Sequence, residues 1–367
     1  MDWKLLFALP NLDLTTPFES EFLSIVPYKD ERITEILSAG TASSILLKGF
    51  KTQYGNNVDT CAIIRRVEHP KSLNNYDSIL SFRNIFAICS LVRAWTGFST
   101  NNTMSSPAYS DYFNFYPMEP SVDDKSFITT TGALASYGIP KEFNGQPSPY
   151  IGNSLFPPLP DKDLVKPLLQ RWGNMIKEKA NIQSNRNLFR SMEIAYMAMS
   201  VPGTQRPTIL EYGARIALWV SAFEVLFHPK GKNKVSFSIV ANALGKYPLA
   251  GSRLKRKSFK LRREINSKRK GNICQVLLDK LYNSRNDFLH GNPFGENQIF
   301  AKVRNNKTSL IAVAPLLYRI ALAVFLDLEY PKSSSLDFNS ERFISYILWE
   351  NYEKALLEII DPDPIDL

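Results

Sequence analysis

In "NSRNDFLHGNP" (283–293), Arg285 and His290 stand five positions apart, and Asn286 follows the arginine directly. These side-chain types suit chemistry at a phosphodiester. A histidine titrates near neutral pH and can take or give a proton. An arginine presents a planar fork of donors that matches two phosphate oxygens. Internal cleavage of RNA needs a base for the ribose 2′-hydroxyl proton, an acid for the leaving 5′-oxygen, and positive charge beside the phosphorus. One Arg and one His do not fill three roles, but two copies of each do. The plainer reading of the same residues is a helix end, where basic side chains complement the dipole and nothing more is meant.

The element that must carry them is a helix over 272–290. Asn272 caps it after Gly271, and Ile273, Leu277, Leu281 and Phe288 form an apolar line that Leu278, Tyr282 and Leu289 widen. Gly291, Asn292 and Pro293 are stop signals that place His290 in the last turn. Five residues at 100° each put Arg285 and His290 about 140° apart, whereas Asn286 and His290, at i and i+4, share a face. Convergence of Arg285 and His290 therefore requires an unwound last turn or a second chain. A two-fold homodimer through the motif helix is the expectation.

Other candidates are weighed against structural roles. Glu224 is the only charged residue between Arg215 and His228, in the apolar run "IALWVSAFEVLF" (216–227). A carboxylate there needs a partner or a wet site, and it is a candidate to orient Arg285, with a pair to some other base as the alternative. Asp287 can reach His290 at i+3 or remain an exposed helix acid. His69 and His228 each precede a proline and read as structural.

The charge is concentrated. Of the 44 Lys and Arg in this chain of net charge +9, ten lie in 253–270 beside one Glu, which accounts for the whole excess. They are Arg253, Lys255, Arg256, Lys257, Lys260, Arg262, Arg263, Lys268, Arg269 and Lys270. Such a stripe is a candidate contact for RNA phosphates, with a solvated surface as the alternative. No Walker-type glycine loop, paired-cysteine metal site or G-x-S-x-G elbow is found, which weakens NTPase, zinc-enzyme and serine-hydrolase readings. The three cysteines are odd in number and far apart, which argues for a reducing compartment. The N-terminal apolar run is too short for a secretory signal, and the run at 216–227 is too short for a membrane span. A second apolar run, 311–328, is broken by Pro315 and Arg319. A soluble, cytoplasmic protein without membrane contact is expected.

The prolines of "SLFPPLPDKD" (154–163) divide the chain, and Asp161 or Asp163 can cap the helix expected after them. The expected fold is α+β: a mixed, loop-rich α/β domain over 1–158 and an all-α antiparallel bundle over 159–360. In the first, "SSILLKGF", "TCAIIRRVE" and "YSDYFNFY" read as strands, and 76–95 as a helix with Ile79, Phe82, Phe86, Cys89 and Val92 on one face. The aromatics of 109–116 read as core packing rather than a base-stacking platform. In the second the pattern is helical throughout, near 161–180, 185–200, 208–228, 234–246, 272–290, 309–328 and 339–359. Thr208 and Glu211 stand at capping-box spacing.

"LYNSRNDFLHGNP" resembles the R-x4-6-H signature of the HEPN superfamily of ribonucleases, with its polar residue directly after the arginine. "ARIALWVSAFEVLFHP", then "KVSFSIVANALG", then the motif helix is similar to the Apea-like branch. The likeness covers 200–300 well, 161–330 loosely and the N-terminal domain hardly at all. It implies a helical bundle that dimerises with two motifs facing each other. It implies metal-independent RNA cleavage by 2′-hydroxyl attack, with no cofactor, in a family rich in toxins and antiviral effectors. On this likeness Arg285 and His290 are the catalytic pair and Asn286 the polar position. The alternative is a non-catalytic HEPN-like module that binds RNA or protein, and the N-terminal domain is left a sensing or restraining role.

Overall fold

The computed structural model describes residues 2–51, 55–100, 108–129, 135–136, 156–177, 183–200, 208–229, 231, 235–249, 254–255, 259–261, 270–303, 306–329 and 341–360. The chain is predominantly helical, with small antiparallel sheets. It divides into two compact units, one of Met1–Ala87, Ala108–Leu159 and Trp172–Ala180, the other of Ile88–Pro107, Pro160–Arg171 and Asn181–Leu367. The break after Leu159 falls at the proline connector, but the simple cut expected there is corrected by two helices. The long helix Tyr76–Thr100 changes unit at Ile88, and Lys162–Ile176 changes at Trp172. Each has enough turns to serve two cores, which periodicity alone does not reveal.

In the first unit, strands β1 (Trp3–Leu9), β2 (Phe18–Glu19), β3 (Leu23–Val26) and β4 (Cys61–Arg66) form an antiparallel sheet in the order β1-β4-β3-β2. Helices α1 (Glu31–Ser38) and α2 (Ala42–Lys48) pack Ile33, Ile36, Leu46 and Leu47 with Leu5, Val26, Ala62 and Ile64 of the sheet. Strand β4 lies where it was expected; α2 does not, since "SSILLKGF" read as a strand. The reason is a tertiary cap. Asp124 accepts hydrogen bonds from the Ser43 backbone N–H (2.8 Å) and hydroxyl (2.7 Å), from 81 residues away. "YSDYFNFY" is likewise no strand: Ser110–Phe113 is a 3-10 turn, closed by the Asn114 N–H on the Asp111 carbonyl at 3.1 Å. Phe113 is buried against Phe86 (5.6 Å between ring centres), so these aromatics do serve the core. Strands β5 (Met118–Pro120), β6 (Phe127–Thr129) and β7 (Ala135–Ser136) complete a second small sheet.

The helix α3 (Tyr76–Thr100) buries all five of its expected apolar positions, Ile79, Phe82, Phe86, Cys89 and Val92. The second unit continues with α4 (Lys162–Ile176), α5 (Gln183–Ala198), α6 (Ile209–Leu226), α7 (Phe237–Leu244), α8 (Ile273–Leu289), α9 (Glu296–Ile299), α10 (Leu310–Phe325) and α11 (Glu341–Ile360). The seven helices expected after the connector are present. The reading of this region as helical throughout is corrected by two hairpins: β8 (Phe259–Lys260) with β9 (Lys270–Gly271), and β10 (Phe300–Val303) with β11 (Asn306–Ser309). Both strand pairs are too short to show a period of two. Helix α6 carries the full capping box between Thr208 and Glu211. None of the described helices is long and apolar enough to cross a membrane.

Arg319, which interrupts the apolar run of α10, is fully buried. Its Nε donates to Asp161 Oδ2 at 3.0 Å, and Tyr352 of α11 donates to the same oxygen at 2.9 Å. The guanidinium lies 4.4 Å from the Trp349 ring and 4.1 Å from the Tyr352 ring. Burial is the largest single influence and depresses its pKa, but the charge and hydrogen bond of Asp161, together with Tyr352 and Tyr247, outweigh it and raise the pKa. Asp161 is also the cap of α4, accepting the Asp163 N–H at 3.1 Å. Asp163 takes the Ser345 hydroxyl (2.6 Å) and the Trp349 indole N–H (2.9 Å). Asp161→Ala leaves a buried cation without its carboxylate, and a loss of about 3–5 kcal/mol is expected in urea unfolding. A loss below about 1 kcal/mol would show that this pair is not a main support of the second unit.

Candidate active site

Helix α8 begins with a capping box. Asn272 Oδ1 accepts the Gln275 N–H at 3.1 Å, and Gln275 Oε1 accepts the Asn272 N–H at 3.0 Å. Ile273, Leu277, Leu278, Leu281 and Tyr282 are buried as the apolar line requires. Leu289, expected on that line, is 57% exposed, because the helix leaves the core in its last turn. The turn nevertheless stays wound: the His290 N–H bonds the Asn286 carbonyl at 2.9 Å. His290 is the C-cap, Gly291 follows at φ +68°, and the Asn292 N–H returns to the Asp287 carbonyl at 3.0 Å. This is the Schellman pattern, which glycine permits without steric cost.

Arg285 points to α6. Its Nη2 lies 3.0 and 3.2 Å from the two carboxylate oxygens of Glu224, and its Nη1 donates to Asn286 Oδ1 at 3.2 Å. The guanidinium carbon is 5.8 Å from the Tyr282 ring centre. About a quarter of each side chain in the Arg285–Glu224 pair remains exposed, 23% and 22%. The acid in the apolar stretch of α6 therefore has a partner, and the arginine is fixed from two sides while part of its donor edge stays open to solvent.

His290 is exposed, and its ring makes no hydrogen bond among the described residues. Asp287 does not serve it. Its carboxylate instead accepts the Asn292 side-chain amide at 3.2 Å, because the chain reversal after Gly291 brings that donor closer. With the last turn wound, the single chain does not draw Arg285 and His290 onto one face. Asn286 is brought to Arg285, and its backbone to His290. His69 and His228 have structural contacts: the His69 ring meets the Arg66 and Val67 carbonyls at 2.9 and 2.8 Å, and the His228 ring meets the Pro229 carbonyl at 3.1 Å.

Of the basic stripe, Lys255, Lys260 and Lys270 are described, and all three are exposed, while Leu254 and Leu261 beside them are buried. Arg253, Arg256, Lys257, Arg262, Arg263, Lys268 and Arg269 lie outside the described residues. Lys260 stands directly opposite Lys270 in the β8–β9 pair, a like-charge juxtaposition that costs stability unless water or an anion screens it. Strand β9 runs into the cap of α8, so the stripe meets the helix at the end opposite His290.

Sequence reasoning missed Gly213. It is buried in α6, and a Cβ there would overlap the Phe288 ring of α8. The available signal was the glycine itself, since an isolated glycine inside a helix costs roughly 1 kcal/mol and usually has a packing reason. Comparison with family models, with curated proteins and with solved structures gives no match for the chain.

The pairing of Glu224 with Arg285 has a direct test. A double-mutant cycle with Glu224→Ala and Arg285→Ala should give a coupling energy of about 0.5–3 kcal/mol in chemical unfolding. Additive single effects would mean that the pair contributes nothing to stability.

Proposed function

We propose that this chain is a metal-independent endoribonuclease that acts as a homodimer through α8. The observation that carries the reading is an arginine held by a carboxylate and an amide on a helix whose wound last turn ends in a solvent-facing histidine. The likeness of "LYNSRNDFLHGNP" to the HEPN signature supports it. In the reaction, the 2′-oxygen attacks phosphorus as its proton passes to a neutral imidazole. The bond to the 5′-oxygen breaks, and an imidazolium returns a proton to that oxygen. Arg285 holds the phosphate oxygens and stabilises the charge that builds on them. Glu224 and Asn286 keep the guanidinium turned one way, so less freedom is lost when phosphate binds.

One chain offers one histidine, about 140° around the helix from its arginine. A second copy supplies the missing acid or base and brings a histidine opposite an arginine. The exposed Lys255, Lys260 and Lys270 support RNA contact, the like-charged Lys260–Lys270 pair above all. A role as toxin or antiviral effector, with the N-terminal domain as sensor, extends the same reading. The divergence of Arg285 and His290 also favours a second reading, a non-catalytic RNA- or protein-binding module, should the chain remain a monomer.

Purified protein should cut total RNA in EDTA and leave 2′,3′-cyclic phosphate ends. His290→Ala and Arg285→Ala should each lower the rate by roughly a hundredfold or more. Equal cleavage by all three proteins would overturn the enzymatic reading. Mixing the two variant chains should recover part of the activity if sites are shared, and a fully active monomer would exclude sharing. Changing Lys255, Lys260 and Lys270 together to Gln should flatten the slope of log affinity against log salt by about 0.7 per lost contact on single-stranded RNA. An unchanged slope would make these lysines a solvated surface only.

A further inference from the structure

We propose that Gly213, Phe288, Asp287 and Asn292 form a positioning set that fixes the backbone at His290 and so aims its side chain. The proposal rests on the ribonuclease reading for its consequence, though not for its geometry.

His290 and its neighbours Leu289 and Gly291 are exposed, and the histidine ring has no hydrogen bond among the described residues to hold it. A chain end of this kind frays unless something else restrains it. Here the restraints come in pairs around the histidine. On the apolar side, the Phe288 ring lies over Gly213 so closely that a methyl group on that glycine would overlap it. Phe294, beyond the turn, packs edge-on against Phe288 with ring centres 5.3 Å apart. On the polar side, Asn292 binds Asp287 twice, by backbone N–H to carbonyl at 3.0 Å and by side-chain amide to carboxylate at 3.2 Å. Further along, the Ser284 hydroxyl donates to the Gln298 carbonyl at 2.6 Å and ties the returning chain to the helix it left.

The segment from Leu289 to Gly295 is thus a loop closed at its base by aromatic contact and at its crown by a two-point hydrogen-bonded turn, with His290 at its start. An exposed carboxylate–amide bond contributes little to stability. Its geometric effect is larger, because it spans the residue whose direction matters. A histidine that must meet a phosphate held by an arginine of another chain tolerates little misplacement, and an error of about 1 Å can cost roughly a hundredfold in rate.

The test uses the full chain with Asp287→Ala, Asn292→Ala and the exchange of the two residues, Asp287→Asn with Asn292→Asp, which reverses donor and acceptor. Each alanine variant should lower kcat roughly ten- to a hundredfold while KM and Tm stay as in the unchanged protein. The exchanged pair should recover most of the rate. A kcat unmoved by both alanine substitutions overturns the proposal, as does a loss matched by a fall in Tm. Amide order parameters of His290, Gly291 and Asn292 give a readout independent of RNA. They should sit near the roughly 0.85 of rigid backbone and fall toward about 0.6 in the alanine variants. If the unchanged protein cuts no RNA, the ribonuclease reading fails alone and the order parameters decide: the expected fall upholds the positioning set, and no fall overturns it.

Discussion

A charge with no access to water must be answered inside the protein, and Arg319 is such a charge. Asp161, Trp349 and Tyr352 surround it, so α4, α10 and α11 are required to meet at one point. Moving any one of them exposes or orphans an ion, at several kcal/mol. The preceding residue of α10 turns this constraint toward the candidate site. Tyr318 bonds the Ser191 hydroxyl of α5 at 2.7 Å and packs on Trp219 and Phe223 of α6, with ring centres 5.5 and 5.7 Å away. Glu224 follows Phe223 directly. A continuous line of packed and bonded groups therefore runs from the buried ion pair to the carboxylate that holds Arg285.

The two ion pairs differ in a way that matters for chemistry. Arg319 is sealed: its Nε is paired with Asp161, and its two terminal nitrogens are buried with no hydrogen-bond partner among the described residues, so its charge serves the core alone. Arg285 is paired on one side and exposed by about a quarter, so its charge remains available to a ligand. A lysine would not replace it. Only the planar guanidinium can keep two nitrogens on Glu224 and Asn286 and still present other N–H groups. Under the ribonuclease reading, Glu224 limits the rotation of that group and leaves the phosphate to be bound on the open side.

Legibility from sequence followed the range of the interactions. Most helices after the proline connector were readable from an apolar stripe at helical spacing, and α10, buried at every position from Val313 to Ala323, from a long apolar run; the caps at Thr208 and Asn272 use residues three apart. Helix α2 was not, because its cap, Asp124, comes from a distant part of the chain. The hairpins β8–β9 and β10–β11 were lost for brevity. At the site, Arg285, Asn286 and His290 were legible by type and spacing, and Glu224 by its isolation among apolar residues. The partner Asp287 takes, Asn292, was in neither of its two sequence readings, since i+3 spacing on a helix says nothing of a chain that reverses after Gly291. The close approach of Gly213 to Phe288 joins positions 75 apart in the chain and has no local signature beyond the glycine.

The layout of α8 places separate demands on its two ends. The 17 residues from Ile273 to Leu289 span about 25 Å. The capped start carries Lys270 and faces the basic hairpin, while the far end carries His290. A phosphate held at one end is out of reach of the other, so the stripe and the histidine of one chain do not act on the same nucleotide. Under the ribonuclease reading, binding strength and cleavage would be set by different parts of a longer strand. On that reading the stripe would contribute sequence-independent, salt-sensitive affinity, and the arginine–histidine end the reaction. A wound helix between them keeps that separation constant, so on the same reading the positioning of its last turn, rather than the number of positive charges, would govern whether bound RNA meets the histidine.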